Sequence, residues 1–291
     1  MTNKKIHSLF KKGSKTYFYS TLFFPKPVKE DVSILYAFVR KADDFVDSIP
    51  QRVDDFYSFR TGYEMALSGK PSGDVVIDSF VDLLERKDMC PDWVDAFFGS
   101  MEADIYKSRY ETLEELEVYL YGSSEVVGLM MAKIMGLSER SYVAARYLGK
   151  AMQYINFIRD VEEDISLGRS YLPGDGMRKH GLESLEYEHV IDRPESYRAF
   201  IEGQIDVYRS WMKTAEKGYR YIPMRYLVPI KTASDMYMWT AERILWDPFT
   251  VYRGKVKPSL YRIVCRGISN AMKLRDWGRD IPGFRGVPAI S

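Results

Sequence analysis

Residues 148–171 read LGKAMQYINFIRDVEEDISLGRSY, and the spacing of the polar residues within them decides the fold. Wound as a helix at about 100° per residue, the stretch gathers Gln153, Asn156, Asp160 and Asp164 into one narrow polar stripe. Met152, Tyr154 and Val161 border that stripe, while Leu148, Ala151, Ile155, Ile158 and Ile165 cover the far side. A helix that is apolar over most of its circumference belongs in an interior. An Asp-x-x-x-Asp pair by itself ordinarily marks a solvated face, but these apolar flanks carry the two carboxylates inward. Buried carboxylates are costly unless a cation, a metal or a water-filled cavity compensates them.

A second acidic stripe lies upstream. Val32, Leu35, Tyr36, Val39, Asp43 and Val46 keep a helical period until Pro50 stops it. Arg40, Asp43 and Asp47 follow one another by single turns on the same face, with Asp44 beside them. Alone, this cluster reads equally well as a structural ion-pair site around Arg40. Two such clusters, far apart in sequence and each on an expected buried face, point to one shared site.

The remaining pattern is also helical. Helices are expected over residues 6–22, 54–67, 74–85, 91–106, 113–135, 194–221, 224–244 and 259–274, with Pro25, Pro27, Gly73, Gly136, Gly168 and Pro173 punctuating the chain. No alternating strand pattern and no fixed-period repeat is present, so the fold class is all-α. We read residues 1–291 as a single domain. The small residues of Tyr119-Leu120-Tyr121-Gly122-Ser123-Ser124 suit close backbone packing.

Composition narrows the function classes. The 291 residues are 46% hydrophobic and 29% charged, with a net charge of +1, which fits a globular protein without a nucleic-acid partner. Cys90 and Cys265 stand apart, and His7, His180 and His189 have no zinc-like spacing. A cytoplasmic location is expected, since no apolar run reaches the length of a spanning helix. Peripheral membrane contact through Leu22-Phe23-Phe24 or the aromatic C-terminal segments competes with ordinary core packing, which large aromatics usually prefer. The last forty or so residues are locally basic, usually the sign of a solvated face. No Gly-rich phosphate loop is present.

Two carboxylate helices suit a particular chemistry. Mg²⁺ prefers oxygen ligands and is typically held by one or two carboxylates, waters and substrate phosphates. Asp residues at i and i+4 project two carboxylates in one direction, so facing helices can grip a diphosphate through metal ions. The metals then stabilise the charge on the departing diphosphate, and an apolar interior keeps water from the carbocation left behind.

The segments Tyr36-Ala37-Phe38-Val39-Arg40-Lys41-Ala42-Asp43-Asp44-Phe45-Val46-Asp47 and Gln153-Tyr154-Ile155-Asn156-Phe157-Ile158-Arg159-Asp160-Val161-Glu162-Glu163-Asp164, followed by Gly168-Arg169-Ser170-Tyr171-Leu172-Pro173, resemble the squalene/phytoene synthase family. Both motifs are most similar to the phytoene synthases in form. The resemblance spans nearly the whole chain and implies an isoprenoid-synthase helical bundle with a central apolar cavity. It implies Mg²⁺-dependent head-to-head condensation of two geranylgeranyl diphosphates, through a cyclopropylcarbinyl diphosphate, to phytoene. Mn²⁺ is the alternative ion, and NADPH is not expected. The rival within the family is squalene or dehydrosqualene formation from farnesyl diphosphate, the former with NADPH.

Residue by residue, the resemblance makes Asp43, Asp47, Asp160 and Asp164 the metal ligands, with Asn156 beside them. It places Ser14, Lys15 and Tyr17 near the diphosphates, Arg40 and Tyr237 in contact with them, and Tyr121, Gln153 and Arg159 at the reaction site. The late basic contact is either Arg253 or Arg262. A helical wheel turns Arg159 away from the carboxylate stripe, which calls for a local bend or an indirect role. The first motif alone also fits head-to-tail synthases and terpene cyclases, and a scaffold that kept only the fold is the non-enzymatic alternative; the second motif favours the head-to-head family. Met130, Met131 and Met135 are candidate cavity-wall residues, although Met at such spacing is more often general core filling.

Overall fold

The computed structural model describes Ile6 and residues 21–277. Ser14, Lys15 and Tyr17, on the first expected helix, lie outside the described residues. Helix α1 (Lys26–Val46) begins with proline in its first turn, where a missing N–H costs nothing. It leads to α2 (Val53–Leu67), α3 (Val75–Arg86) and α4 (Pro91–Tyr106). Asp74 caps α3, its Oδ1 accepting from the Val76 N–H at 2.9 Å, and Thr112 caps α5 (Leu113–Leu120) by accepting from the Glu115 N–H. Among the described residues there is no strand, only an isolated bridge between Arg109 and Ser170.

The helix expected over residues 113–135 is divided. A π turn (Tyr121–Glu125) separates α5 from α6 (Val126–Ile134). Its cause is close contact with α4: Ser100 Oγ donates to the Tyr119 carbonyl at 2.8 Å, and a Cβ on Gly122 would stand 2.1 Å from the Ala96 oxygen. We therefore expect Gly122→Ala to destabilise the fold by about 1–3 kcal/mol through overpacking. Urea denaturation measures this, and unchanged stability would contradict the close approach. Gly149 makes a similar contact, where a Cβ would meet the Ser124 oxygen at 2.2 Å.

The decisive stretch is divided as well. Helix α7 (Tyr142–Arg159) starts before residue 148, Asp160 leaves helical geometry at φ −101° and ψ 20°, and α8 (Val161–Ser166) resumes. The loop beyond contains α9 (Gly174–Lys179) and α10 (Tyr187–Ile191), which have too few turns to show a clear period in sequence. Then follow α11 (Pro194–Glu216), α12 (Met224–Trp246), α13 (Thr250–Arg253) and α14 (Leu260–Trp277).

Two packing centres hold the polar stripes in place. Phe38 of α1 stacks on Phe80 of α3 at 3.8 Å between ring centroids and meets Phe98 of α4 edge-on at 5.7 Å. On the other side α7 packs against α11, with Tyr154 edge-on to Trp211 at 5.0 Å. These apolar faces turn the acidic faces of α1 and α7 toward a common cavity.

Candidate functional site

The cavity has a volume of about 980 Å³. Along α1 it is lined by Arg40, Asp43, Asp44 and Asp47; along α7 and α8 it is lined by Gln153, Asn156, Arg159, Asp160, Glu163 and Asp164. Its other walls include Phe24, Val32, Leu35, Val39, Val127, Leu148, Ile222 and Ile230. Charge gathers at one end and apolar surface at the other.

The carboxylates repel one another across the charged end. Burial pushes Asp43 up to about 8, Asp47 adds to the shift, and Arg40 opposes it from 2.8 Å. Arg40 also reaches Asp44 at 2.6 Å. Asp164 is held well above the usual carboxylate range by burial, then by Asp160 and by Asp47 of the opposite wall. The expectation of two facing acidic clusters thus matches the geometry.

Arg159 is explained by the break in the helix. Because α7 ends there, its guanidinium folds back onto Asp160, with Nε 2.8 Å from Oδ1 and Nη2 on Oδ2. Tyr237 of α12 lies beside Arg159 and Asn156; burial raises its phenol pKa while Arg159 opposes the rise. Asn156 Oδ1 is buried without a hydrogen-bond partner.

A buried arginine to which the sequence reading gave no role supports the first cluster. Arg169 donates to Asp47 Oδ1 at 2.7 Å and to the Val46 carbonyl, locking the end of α1. Asp104 of α4, 5% exposed, accepts from Tyr119 at 2.7 Å and Tyr171 at 2.8 Å. Burial raises Asp104 to about 6 despite the opposing pull of Arg169, 3.9 Å away. The loop carrying Arg169 is pinned by the Ser170 N–H donating to the Ser108 carbonyl at 2.8 Å. Only its place in the Gly-Arg-Ser-Tyr motif marked Arg169 in the sequence; Asp104 carried no signal.

Several expectations are corrected. Tyr121 is not brought to the cavity: the π turn leaves it exposed, with the Arg146 guanidinium 5.4 Å from its ring, and Tyr119 lines the cavity instead. Arg253 and Arg262 do not line it either. Arg253 pairs with Asp247 at 2.8 Å, and Arg262 lies over the Trp239 ring at 4.8 Å. Lys255 and Lys257, unassigned members of the basic C-terminal run, occupy the mouth. Met130 is buried in the core, whereas Met131 and Met135 line the cavity.

Lys255 pairs with Glu163, and burial followed by the nearby charges of Lys255 and Arg159 lowers the Lys257 pKa. Cations that repel one another so closely fit an anion between them. The acidic side fits hard cations, through oxygen donors that burial and mutual repulsion leave under-compensated. Among the described residues no three His, Cys, Asp or Glu side chains converge to hold an ion by themselves. The donor set therefore suits ions that take further ligands from water and a polyanionic substrate.

Comparison with known proteins agrees with this geometry. The squalene/phytoene synthase family model matches residues 10–262. A 15-cis-phytoene synthase of Synechococcus elongatus is 27% identical over 269 residues, covering 87% of this chain and 86% of that one. The chloroplastic phytoene synthase 2 of Solanum lycopersicum is 32% identical over 70% of this chain and 69% of its own. Among solved structures, a dehydrosqualene synthase in complex with ligand has a TM-score of 0.83 at 23% identity, over 94% of this chain and 97% of that one. A squalene synthase from Alicyclobacillus acidocaldarius reaches 0.75 at 18% identity, over 86% and 94%; these two likenesses concern the fold. With the family model spanning both acidic motifs and the helices that face them, the chain belongs to the squalene/phytoene synthase family of prenyl-transferring enzymes.

Proposed function

We propose that this protein condenses two geranylgeranyl diphosphates head to head to phytoene, with Mg²⁺ and without NADPH. The observation that carries the proposal is the pair of facing carboxylate clusters at the charged end of a long apolar cavity. Lining residues run from Ser141 to Asp160, which flank the two ends of α7, about 28 Å at a rise of ~1.5 Å per residue. A twenty-carbon prenyl chain needs about 20 Å, taking an advance of ~1.25 Å along each C–C bond. The relatives named as phytoene synthases support the same product.

Asp43, Asp47, Asn156, Asp160 and Asp164 would hold Mg²⁺, which when bound neutralises the diphosphate and stabilises its departure. Arg40, Arg159, Lys255 and Lys257 bind diphosphate oxygens and orient the reacting ends. The C–O bond of one substrate breaks, and its electron pair leaves with the diphosphate. The double bond of the second substrate then attacks the allylic carbon, and proton loss closes the cyclopropane. A second C–O cleavage, rearrangement and proton loss give the hydrocarbon. Phe157, stacked on Tyr171 at 4.1 Å, forms part of a wall that excludes water from the cations.

Purified protein incubated with geranylgeranyl diphosphate and Mg²⁺ is expected to yield a forty-carbon hydrocarbon of phytoene mass in the organic extract. EDTA should stop this and added Mg²⁺ restore it. A thirty-carbon product from farnesyl diphosphate and Mg²⁺, with or without NADPH, and none from geranylgeranyl diphosphate would overturn the substrate assignment, and full turnover in chelator would overturn the metal.

A further inference from the structure

Asp104 of α4 does not line the cavity, yet both of its side-chain oxygens hold residues that do. Tyr119 donates to Oδ2 at 2.7 Å and Tyr171 to Oδ1 at 2.8 Å. Arg169 stands further off, 3.9 Å from Oδ2, and its own closer bonds go to Asp47 and the Val46 carbonyl. The carboxylate is thus aimed at the two phenols more than at the guanidinium. Gln51 fixes the backbone behind it, donating to the Asp104 and Val46 carbonyls at 2.8 and 2.9 Å. Neutralising Arg169 alone would not require this arrangement.

The phenols belong to an aromatic wall. Tyr171 stacks on Phe157 at 4.1 Å between centroids, and Tyr119 lies 5.3 Å from Tyr171 and 6.1 Å from Phe157. All three residues line the cavity. The wall stands at the charged end, where Asp104 is near enough to Asp43 to help raise the pKa of that carboxyl. Aromatic faces attract cations, so the wall suits an allylic cation formed as diphosphate departs. Burial raises the pKa of both phenols and keeps them protonated, while Asp104, at about 6, is an anion at neutral pH. A hydrogen bond to an anionic acceptor is shorter and stronger than one to a neutral acceptor, and it draws the phenol proton away from a ring that gains electron density.

We infer that Asp104 is a positioning residue for the cation steps, its carboxylate holding Tyr119 and Tyr171 on the cavity wall and enriching their rings in electron density. The inference rests on the proposed condensation for its carbocations, and applies equally to farnesyl or geranylgeranyl diphosphate.

The test is single-turnover kinetics and thermal melting of Asp104→Asn, of Tyr119→Phe/Tyr171→Phe and of the triple variant, with Mg²⁺ and the prenyl diphosphate that the wild type converts. Asparagine keeps the shape and loses the charge. Asp104→Asn is expected to slow the chemical step about tenfold with KM nearly unchanged, as for an interaction made only with the cation. The triple variant should be no slower than Tyr119→Phe/Tyr171→Phe, because residues that act through one another do not add. A second series keeps Asp104 and both hydrogen bonds: replacing Tyr119 by mono-, di- and trifluorinated tyrosine withdraws ring electron density, and the rate should fall stepwise while the melt holds. This series decides the matter even if Asp104→Asn does not fold, and a merely structural Asp104 predicts no such gradient. An unchanged rate in Asp104→Asn, a raised KM as its main effect, multiplied losses in the triple variant or a flat fluorine series would each overturn the inference. A wild type that forms no hydrocarbon from either diphosphate would overturn the synthase reading and this inference together, whereas a flat fluorine series in a productive enzyme overturns this inference alone.

Discussion

Asp160→Asn is expected to lower turnover at least about a hundredfold while leaving the fold nearly as stable as before. Two opposing effects explain the unchanged stability. Arg159 loses the carboxylate that its guanidinium clasps, which destabilises. Asp164 loses the Asp160 charge that helps to hold its pKa high, which stabilises. In the proposed mechanism the catalytic loss has no such offset, because an amide would not replace a carboxylate that is to hold metal and that clasps Arg159. Single-turnover kinetics and circular-dichroism melting check both halves. Near-normal turnover would remove Asp160 from the machinery, and a collapsed melt would make it a structural residue.

Arg169→Met should have the largest effect on stability, about 3–5 kcal/mol, because it leaves the buried Asp104 carboxylate, and half-buried Asp47 beside it, without their cation. The loss depends on pH. Asp104 has a folded pKa of about 6, above its ordinary 3.8, so its ionisation already subtracts stability as pH rises through that window. Removing the guanidinium that restrains this shift pushes the carboxyl higher and carries the loss to higher pH. Urea denaturation should thus show a larger deficit at about pH 8 than at about pH 5. Adding Asp104→Asn should recover much of it, because the second substitution removes the uncompensated charge. A deficit that is independent of pH and not relieved by Asp104→Asn would mean that Arg169 acts by packing alone.

Much of the site was legible in local spacing. Asp43, Asp47, Asp160 and Asp164 reach one cavity because a period of 3.6 residues places polar and apolar positions on separate faces, and burial of the apolar faces leaves the polar ones little choice. Arg40, Gln153, Asn156, Arg159 and Tyr237 line the same cavity. Tyr121 and the late arginines went elsewhere for non-local reasons. A π turn forms where Ser100 and Ala96 of another helix press on Gly122, and no period within residues 113–135 records that pressure. Lys255 and Lys257 look in sequence like any members of a basic run, and only the path of the chain after α13 brings them to the mouth.

The sequence by itself determined the all-α class, the two acidic faces and the diphosphate chemistry they suit, because each follows from the order of residue types along a helix. Tertiary structure alone decided that Arg169 of a loop lies between Asp47 and Asp104 of α4, that Tyr119 rather than Tyr121 lines the cavity, and that α14 turns a second apolar face to solvent. These depend on which side chains meet across long sequence separations. Such contacts are selected by the packing of the whole chain, and local periodicity does not encode them.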